Sequence, residues 1–264
     1  MKLGLAQMDI VWENKSENII KVEKLIQNAV DMKIDCLLFP EMSLSGFSMN
    51  TQKIGEKEDV IDTIKQIKAL CLKYDLFLGI GYAENGIDKA FNKYAIINNQ
   101  GTIIANYTKI HPFSYGEESI YYAGGDKVEY CDINEVKTTP FICYDLRFPE
   151  IFQIASAKAQ LITIAANWPI QRRDHWITLL QARAIENQCY IAGVNRVGFA
   201  NKINYSGDSM IINPYGEIIS DNIDGEGIVS AEIDIRIVSQ YREKFRLKTD
   251  RREKLYTKLQ QFPI

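Results

Sequence analysis

The chain has 264 residues, of which 46% are hydrophobic and 25% are charged, a composition typical of one large globular domain rather than two half-sized ones. The formal net charge is −3 and the basic residues are spread along the chain, so neither nucleic acid nor a membrane surface is predicted as a partner. We expect a small-molecule partner instead.

The N-terminal segment 1–7 becomes polar too early for a secretory signal, and no apolar run approaches membrane-spanning length. Five irregularly spaced cysteines favour reduced thiols over a disulfide framework, which predicts a cytoplasmic protein. Only two histidines are present, without an H-E-x-x-H motif, a closely spaced cysteine pair or a glycine-rich phosphate loop. We therefore expect no metal and no cofactor, and hydrolysis or a simple transfer as the chemistry.

Apolar periodicity predicts strands and helices that alternate from end to end. In chain order the predicted elements are strand 2–9, helix 16–32, strand 35–39, helix 60–74, strand 76–83, strands 91–98 and 102–108 as an antiparallel hairpin, strand 138–143, helix 148–158, strand 160–166, helix 172–188, strand 189–195, strands 207–212 and 227–233 as a second hairpin around 213–216, and helix 235–245. These elements predict an α/β fold in which two mixed sheets pack face to face and are covered by helices, a four-layer sandwich.

Three polar residues stand directly after apolar strands, where α/β folds place their ligand crevices. They are Glu41, Lys109 and Cys143. An exposed strand-end charge or a surface ion pair is the alternative for Glu41 and Lys109, and a small buried apolar side chain is the alternative for Cys143. Pro149, at an early helical position, would place the Cys143 thiol near a helix N-terminus, which favours thiolate.

Taken together, segments 39–41, 108–111 and 143–150 resemble the carbon-nitrogen hydrolase (nitrilase) superfamily. The likeness covers nearly the whole chain and implies a single domain, 1–264, with the αββα sandwich of that superfamily. It also implies a Glu-Lys-Cys triad of Glu41, Lys109 and Cys143. Members of the superfamily usually pair through outer helices, so the resemblance implies a homodimer or a larger assembly.

The resemblance further implies a second glutamate, seven residues before a Gly-Asp or similar turn. Counting back from Gly125-Asp126 gives Glu118, with the adjacent Glu117 as the alternative. For both glutamates, a solvated loop charge is the simpler interpretation.

The segments 166–169, 175–176, 181–188 and 195–198 look like the omega-amidase branch, whose members hydrolyse the terminal amide of 2-oxoglutaramate and 2-oxosuccinamate. Such a substrate carries a carboxylate, for which Arg172 and Arg173 are available, unless they are solvated charges that open a helix. Trp168 is expected to form an apolar wall or to pack in the core. His111 and His175 are most simply structural.

The resemblance implies a mechanism in which Glu41 takes the thiol proton while Cys143 attacks the amide carbonyl. Lys109 and the backbone N–H of Tyr144 would hold the oxyanion, and Glu118 would position Lys109 or the substrate amide. Two alternatives stay open. The triad could act on an aliphatic amide, an N-carbamoyl compound or a nitrile, or the chain could be a catalytically silent binding protein.

Overall fold

The computed structural model describes residues 1–57 and 62–259. Its helices are α1 (Lys15–Asp31), α2 (Thr51–Ile54), α3 (Asp62–Tyr74), α4 (Glu118–Tyr121), α5 (Pro149–Ala155), α6 (Arg173–Asn187), α7 (Ile235–Lys244) and α8 (Glu253–Leu259). Its strands are β1 (Lys2–Gln7), β2 (Cys36–Leu38), β3 (Glu56–Lys57), β4 (Phe77–Asn85), β5 (Ala90–Ile97), β6 (Ile103–Thr108), β7 (Tyr122–Ala123), β8 (Cys131–Ile133), β9 (Val136–Ile142), β10 (Leu161–Ala166), β11 (Tyr190–Asn195), β12 (Val197–Ala200), β13 (Ile203–Ser206), β14 (Met210–Ile212) and β15 (Gly227–Glu232).

The strands form two mixed sheets and one small ribbon. The first sheet has the order β15-β1-β2-β4-β5-β6, with β3 beside β4 and β7 beside β5. The second sheet has the order β14-β11-β10-β9-β8, and β12 pairs with β13. In the first sheet β1, β2 and β4 are parallel, and in the second β9, β10 and β11 are parallel. Antiparallel strands complete the sheets on both sides of these groups.

Strand β2 illustrates why the fold has four layers. Cys36 and Leu38 belong to the apolar cluster shared with the second sheet, whereas Leu37 belongs to the cluster formed with α1 and α3. Successive side chains of a strand point to opposite faces, so a strand covered on both sides must be apolar throughout. On the second sheet, α6 packs against β11 and α5 packs against α6. The predicted α/β sandwich of two helix-covered sheets is confirmed.

Most predicted elements lie within a few residues of the observed ones, and the hairpin predicted at 91–98 and 102–108 is formed by β5 and β6. The start of the helix predicted at 60–74 lies outside the described residues, which resume at Asp62. The second predicted hairpin is wrong. Strand β14 pairs with β11, whereas β15 pairs with β1 in the other sheet. The turn at 213–216 exists, and Ile218 after it pairs with Ile212, but the chain then crosses to the first sheet before β15 begins.

Among residues 1–57 and 62–259, none of the helices combines the length and the apolar character that crossing a membrane requires.

We predict that Phe141→Ala lowers the free energy of unfolding by about 3–5 kcal/mol. Phe141 is completely buried, and its ring packs 5.6 Å from the Tyr107 ring of the first sheet and 4.8 Å from the Phe152 ring of α5. Truncation therefore leaves a cavity where three layers meet. Urea unfolding measures the loss, and Ile87→Ala, at a fully exposed site, serves as the control. A loss below about 1 kcal/mol would contradict this account of the core.

Candidate active site

Glu41 lies beyond the carboxyl end of β2, in a turn that approaches β4 closely. The Tyr94 hydroxyl donates to the Phe39 carbonyl at 2.8 Å, and the Ser43 N–H donates to the Gly81 carbonyl at 2.9 Å. A Cβ at Gly81 would lie 2.9 Å from the Glu41 carbonyl carbon, so the glycine permits this approach. As a result the Glu41 carboxylate is fully buried.

Lys109 and Glu118 both come from the segment that follows β6. The Lys109 N–H donates to the Asn92 carbonyl at 2.9 Å, which continues the pairing of β6 with β5. Glu117 is exposed and has a left-handed φ of 62°, and this turn directs the next residue inward. Glu118 is fully buried, with its Oε2 atom 2.8 Å from Lys109 Nζ. Of the two adjacent glutamates, the structure therefore brings Glu118 to Lys109.

The Lys109 ammonium lies between two carboxylates. Its Nζ atom is 2.9 Å from Glu41 Oε1 and 2.8 Å from Glu118 Oε2, and none of the three side chains is more than 1% exposed. Asn92 joins the two carboxylates, because its Nδ2 donates to Glu41 Oε1 at 2.8 Å and to Glu118 Oε1 at 2.9 Å. The result is a compact hydrogen-bonded cluster with one positive charge.

Two backbone N–H groups also donate to the carboxylates of the cluster. The Asn167 N–H donates to Glu41 Oε2 at 3.0 Å, and the Asn167 side chain donates to the Glu41 carbonyl at 2.7 Å. The Phe113 N–H donates to Glu118 Oε2 at 2.5 Å. Because buried charges are costly unless every polar atom is paired, these donors are part of what keeps the cluster in place.

The pKa of Glu118 and the pKa of Lys109 are both raised in the cluster, although burial by itself acts on the two groups in opposite senses. Burial raises the pKa of Glu118, and the charge of Glu41 adds to this effect, while Lys109 opposes it. Burial alone would lower the pKa of Lys109, but the charges of Glu118 and Glu41 together raise it above its ordinary value. Lys109 is therefore an ammonium at neutral pH, with its charge held between the two glutamates.

Cys143 follows β9 and opens a 3₁₀ turn, Cys143–Arg147, with a left-handed φ of 45°. Burial and then the negative charge of Glu41 raise the pKa of the thiol well above its ordinary range, and Lys109 opposes this. The expectation of a thiolate near a helix N-terminus is therefore wrong. Helix α5 begins only at Pro149, beyond the 3₁₀ turn, and is a short helix. The resting thiol is protonated and needs a base.

Cys143 is partly exposed, and it opens to a cavity of about 240 Å³. The cavity is smaller than the roughly 300–1,000 Å³ typical of drug-sized ligands, which indicates a compact ligand. Tyr144 and Trp168 line it, as the sequence predicted for substrate-contacting residues. Trp168 is also a packing residue, since it is only 3% exposed and its ring lies 5.5 Å from that of Trp176.

The assignment of Arg173 to the substrate is wrong. Its guanidinium forms three hydrogen bonds with Asp208, from Nε to both carboxylate oxygens at 2.9 Å and from Nη2 to Oδ1 at 2.6 Å, and the residue does not line the cavity. Arg172 and Arg147 line the cavity instead. Arg172, the last residue before α6, lines the cavity, whereas Arg173, the first residue of the helix, binds Asp208 in the connection between β13 and β14.

Arg147 and Arg172 are held by aromatic rings. The Arg147 guanidinium lies 4.8 Å above the Trp168 ring, and the Arg172 guanidinium lies 5.4 Å from the Phe113 ring centre. Burial and then the positive charge of Arg172 lower the pKa of Arg147. Within the described parts of the chain, neither arginine pairs with a carboxylate. The cavity therefore offers two cations to an anionic ligand.

The sequence interpretation missed Asn92, and it quoted Asn167 without giving it a role. Asn92 could have been found from strand periodicity, because it shares the inward face of β5 with Ala90, Tyr94 and Ile96. A polar side chain at such a position must find buried partners. No comparable local signal marks Asn167. As for metals, no three His, Cys, Asp or Glu side chains of residues 1–57 and 62–259 form a group that could hold an ion.

Comparison with known proteins shows the family of this chain. The carbon-nitrogen hydrolase family model matches residues 2–243. A 2-oxoglutaramate amidase of Bacillus subtilis is 35% identical over 257 residues, covering 96% of this chain and 98% of that protein. Omega-amidase YafV of Yersinia enterocolitica is 34% identical over 248 residues, covering 93% of this chain and 94% of the relative.

Solved structures show the same fold. XC1258 from Xanthomonas campestris, a CN-hydrolase superfamily protein with an arsenic adduct in its active site, superposes with a TM-score of 0.89 at 28% identity. The alignment covers 96% of this chain and 97% of that one. Nit3 of Saccharomyces cerevisiae, a member of branch 10 of the nitrilase superfamily, has a TM-score of 0.86 at 24% identity, with 96% of both chains covered.

We predict that iodoacetamide alkylates Cys143 before the other cysteines, because Cys36, Cys71, Cys131 and Cys189 are buried. The raised pKa of Cys143 means that the thiolate fraction is small at neutral pH and grows as the pH rises. The rate should therefore increase from neutral to alkaline pH without a plateau. Peptide mass spectrometry after brief labelling measures which cysteine reacts first and how its rate depends on pH, with Cys143→Ala as the control. Faster labelling of another cysteine, or a rate already maximal at neutral pH, would contradict the assignment.

Proposed function

Because this chain belongs to the carbon-nitrogen hydrolase family, we propose that it is an omega-amidase that uses Cys143 to hydrolyse the terminal amide of a small 2-oxo acid. The products are the 2-oxo dicarboxylate and ammonia. 2-Oxoglutaramate and 2-oxosuccinamate are the proposed substrates. The named activities of the two amidase relatives support this choice.

One observation carries the proposal. The partly exposed Cys143 thiol lines a small cavity and lies close enough to the buried Glu41-Lys109-Glu118 cluster for those charges to shift its pKa, and two guanidinium groups without carboxylate partners in the described chain line the same cavity. The first group of residues suits amide hydrolysis, and the second suits a substrate that carries a carboxylate. A neutral aliphatic amide would leave the two cations unused.

In the proposed acylation, Glu41 accepts the Cys143 proton as the sulfur attacks the amide carbon. The raised pKa of the thiol makes this base necessary. The carbonyl oxygen becomes an oxyanion, which the Lys109 ammonium and the Tyr144 N–H stabilise. The carbon–nitrogen bond then breaks, Glu41 returns the proton to the leaving nitrogen, and ammonia departs from a thioester.

Deacylation uses Glu41, Lys109 and the Tyr144 N–H again, with water in place of the thiol as the nucleophile. Glu41 takes a proton from water as the water oxygen attacks the thioester carbon, and the same donors hold the second oxyanion. The carbon–sulfur bond breaks, Glu41 gives its proton to the Cys143 sulfur, and the carboxylic acid product loses its own proton to solvent and leaves as its anion. Glu118 keeps its contact with Lys109 throughout and so orients the ammonium. One carboxylate, Glu41, serves both half-reactions.

Arg147 and Arg172 are the proposed anchors of the substrate carboxylate, in place of Arg173. Both guanidinium groups line the cavity and lie against aromatic rings, which restricts their motion before the substrate binds. Trp168 reinforces the arrangement, because its Nε1 donates to the Arg172 carbonyl at 2.7 Å. The anchors fix the charged end of the substrate so that its amide end faces Cys143.

We predict that the protein releases ammonia from 2-oxoglutaramate and 2-oxosuccinamate and is at least about a hundredfold less active on nitriles that carry no carboxylate, since hydrogen bonds to charged groups contribute about 1.5–3 kcal/mol each. N-carbamoyl amino acids keep a carboxylate, and we expect lower activity on them because a urea carbonyl is a weaker electrophile than an amide carbonyl. An ammonia assay over this panel measures the selectivity. Cys143→Ala should lose activity, and Cys143→Ala protein with full activity would defeat the nucleophile assignment. Preference for a nitrile or an N-carbamoyl compound would defeat the substrate assignment alone.

The anchor assignment predicts that Arg172→Gln and Arg147→Gln each raise KM for 2-oxoglutaramate about tenfold to a hundredfold, because each change removes a charged hydrogen bond to the substrate carboxylate. Steady-state kinetics measure the effect, with Arg173→Gln as the matched control because that guanidinium already binds Asp208. On a neutral amide of similar size the same variants should behave like the unmodified protein. A larger effect at Arg173 than at Arg172 would reverse the assignment.

A further inference from the structure

Another buried carboxylate, outside the Glu41-Lys109-Glu118 cluster, links the segment after β6 with the turn after β9. Asp145 is fully buried and is surrounded by four hydrogen-bonding groups. Its Oδ1 accepts the His111 N–H at 3.0 Å and lies 2.8 Å from His111 Nδ1. Its Oδ2 accepts the Tyr107 hydroxyl at 2.8 Å and the Ile142 N–H at 3.1 Å. One carboxylate thus joins the two sheets.

Two of the residues that donate to Asp145 are close in sequence to Lys109 and Cys143. His111 lies two residues after Lys109, and Ile142 directly precedes Cys143. The left-handed φ of Cys143 is unfavourable for a residue with a side chain, so the backbone there must be held by its neighbours. The bond from Ile142 to Asp145 supplies part of that restraint.

Two further contacts hold the same junction. The His111 ring stacks on Phe148 with centroids 3.7 Å apart and planes 9° from parallel. The Tyr107 hydroxyl, while donating to Asp145, also accepts the Ile110 N–H at 3.2 Å. The segment from Tyr107 to His111, which contains Lys109, is therefore fixed at both ends against the 3₁₀ turn Cys143–Arg147.

We propose that Asp145, with Tyr107 and His111 as its donors, is a positioning group that sets the placement of the Lys109 ammonium relative to the Cys143 sulfur. The inference rests on the proposed function only for the roles of Lys109 and Cys143. Asp145 touches no reacting atom and acts through the segment that carries Lys109 and the segment that carries Cys143. Stability alone does not demand such a group, because apolar residues that replace a buried polar network often stabilise a fold equally well.

The test compares two variants of His111 that both lose the stacked ring but differ in whether they keep a hydrogen-bond donor to Asp145. His111→Leu and His111→Asn both remove the ring that stacks on Phe148, but the Asn amide can place a donor where Nδ1 lies. We expect His111→Leu to lower kcat for 2-oxoglutaramate at least about tenfold, since small misplacements in an active site are costly. His111→Asn should recover kcat to within about threefold of the unmodified protein, because the donor to Asp145 is restored.

Tyr107→Phe and Tyr190→Phe form a second matched pair. Each is a buried tyrosine that loses a hydroxyl making two hydrogen bonds, but the Tyr190 hydroxyl bonds to the Asp234 backbone and not to the residues around Asp145. We expect both to lower Tm and only Tyr107→Phe to lower kcat. Equal kcat in His111→Leu and His111→Asn, or equal losses of kcat in the two tyrosine variants, would overturn the proposal.

Alkylation of Cys143 by iodoacetamide gives a readout that needs no substrate. When Lys109 is displaced, its charge no longer offsets that of Glu41 at the thiol, so the rate at a fixed alkaline pH should fall in His111→Leu and recover in His111→Asn. If the unmodified protein does not hydrolyse 2-oxoglutaramate but this pattern holds, the substrate assignment fails and the positioning role stands. Identical alkylation rates in both variants would overturn the positioning role, whatever the substrate.

Discussion

The buried Lys109 ammonium is the constraint on which the rest of the site depends. Removing a charged group from water costs several kcal/mol even after the protein relaxes, and a buried ion cluster is tolerated only when its geometry is good and its charged atoms are hydrogen-bonded. Here two carboxylates, 2.8 and 2.9 Å away, balance the ammonium. Asn92 and backbone N–H groups then satisfy the carboxylates. This demand explains an amide side chain on the otherwise apolar inward face of β5.

The strand directions deliver these groups to one place. Strands β2 and β4 are parallel, β5 is antiparallel to β4, and β6 is antiparallel to β5, so β2 and β6 run the same way and both end at one edge of the sheet. Glu41 and Lys109 follow those two ends, and Asn92 lies near the beginning of β5, at the same edge. In the second sheet β9 and β10 are parallel, so Cys143 and Asn167, which follow them, also meet.

The placement of these residues directly after strands explains what could and could not be predicted from the sequence. Placement after a strand depends on chain order and apolar patterning, which are visible in sequence, so the residues after β2, β6 and β9 were found. Choosing between adjacent residues needs backbone angles. The left-handed turn at Glu117 and the boundary between Arg172 and α6 decide which side chain faces inward, and neither leaves a pattern. The predicted second hairpin failed because turn residues at 213–216 do not report which sheet the next strand joins.

The protonated state of Cys143 fits the charge balance of the site. The cluster already holds two carboxylates and one ammonium, so a resting thiolate would add a second uncompensated negative charge in a poorly solvated place, and the raised pKa of the thiol expresses that cost. In the proposed reaction the negative charge forms only as the sulfur attacks, and it passes to the carbonyl oxygen, where the Lys109 ammonium is favourably placed to stabilise it. An interaction that is stronger in the transition state than in the resting enzyme accelerates the chemical step, whereas a thiolate already stabilised by Lys109 would have used part of that interaction beforehand.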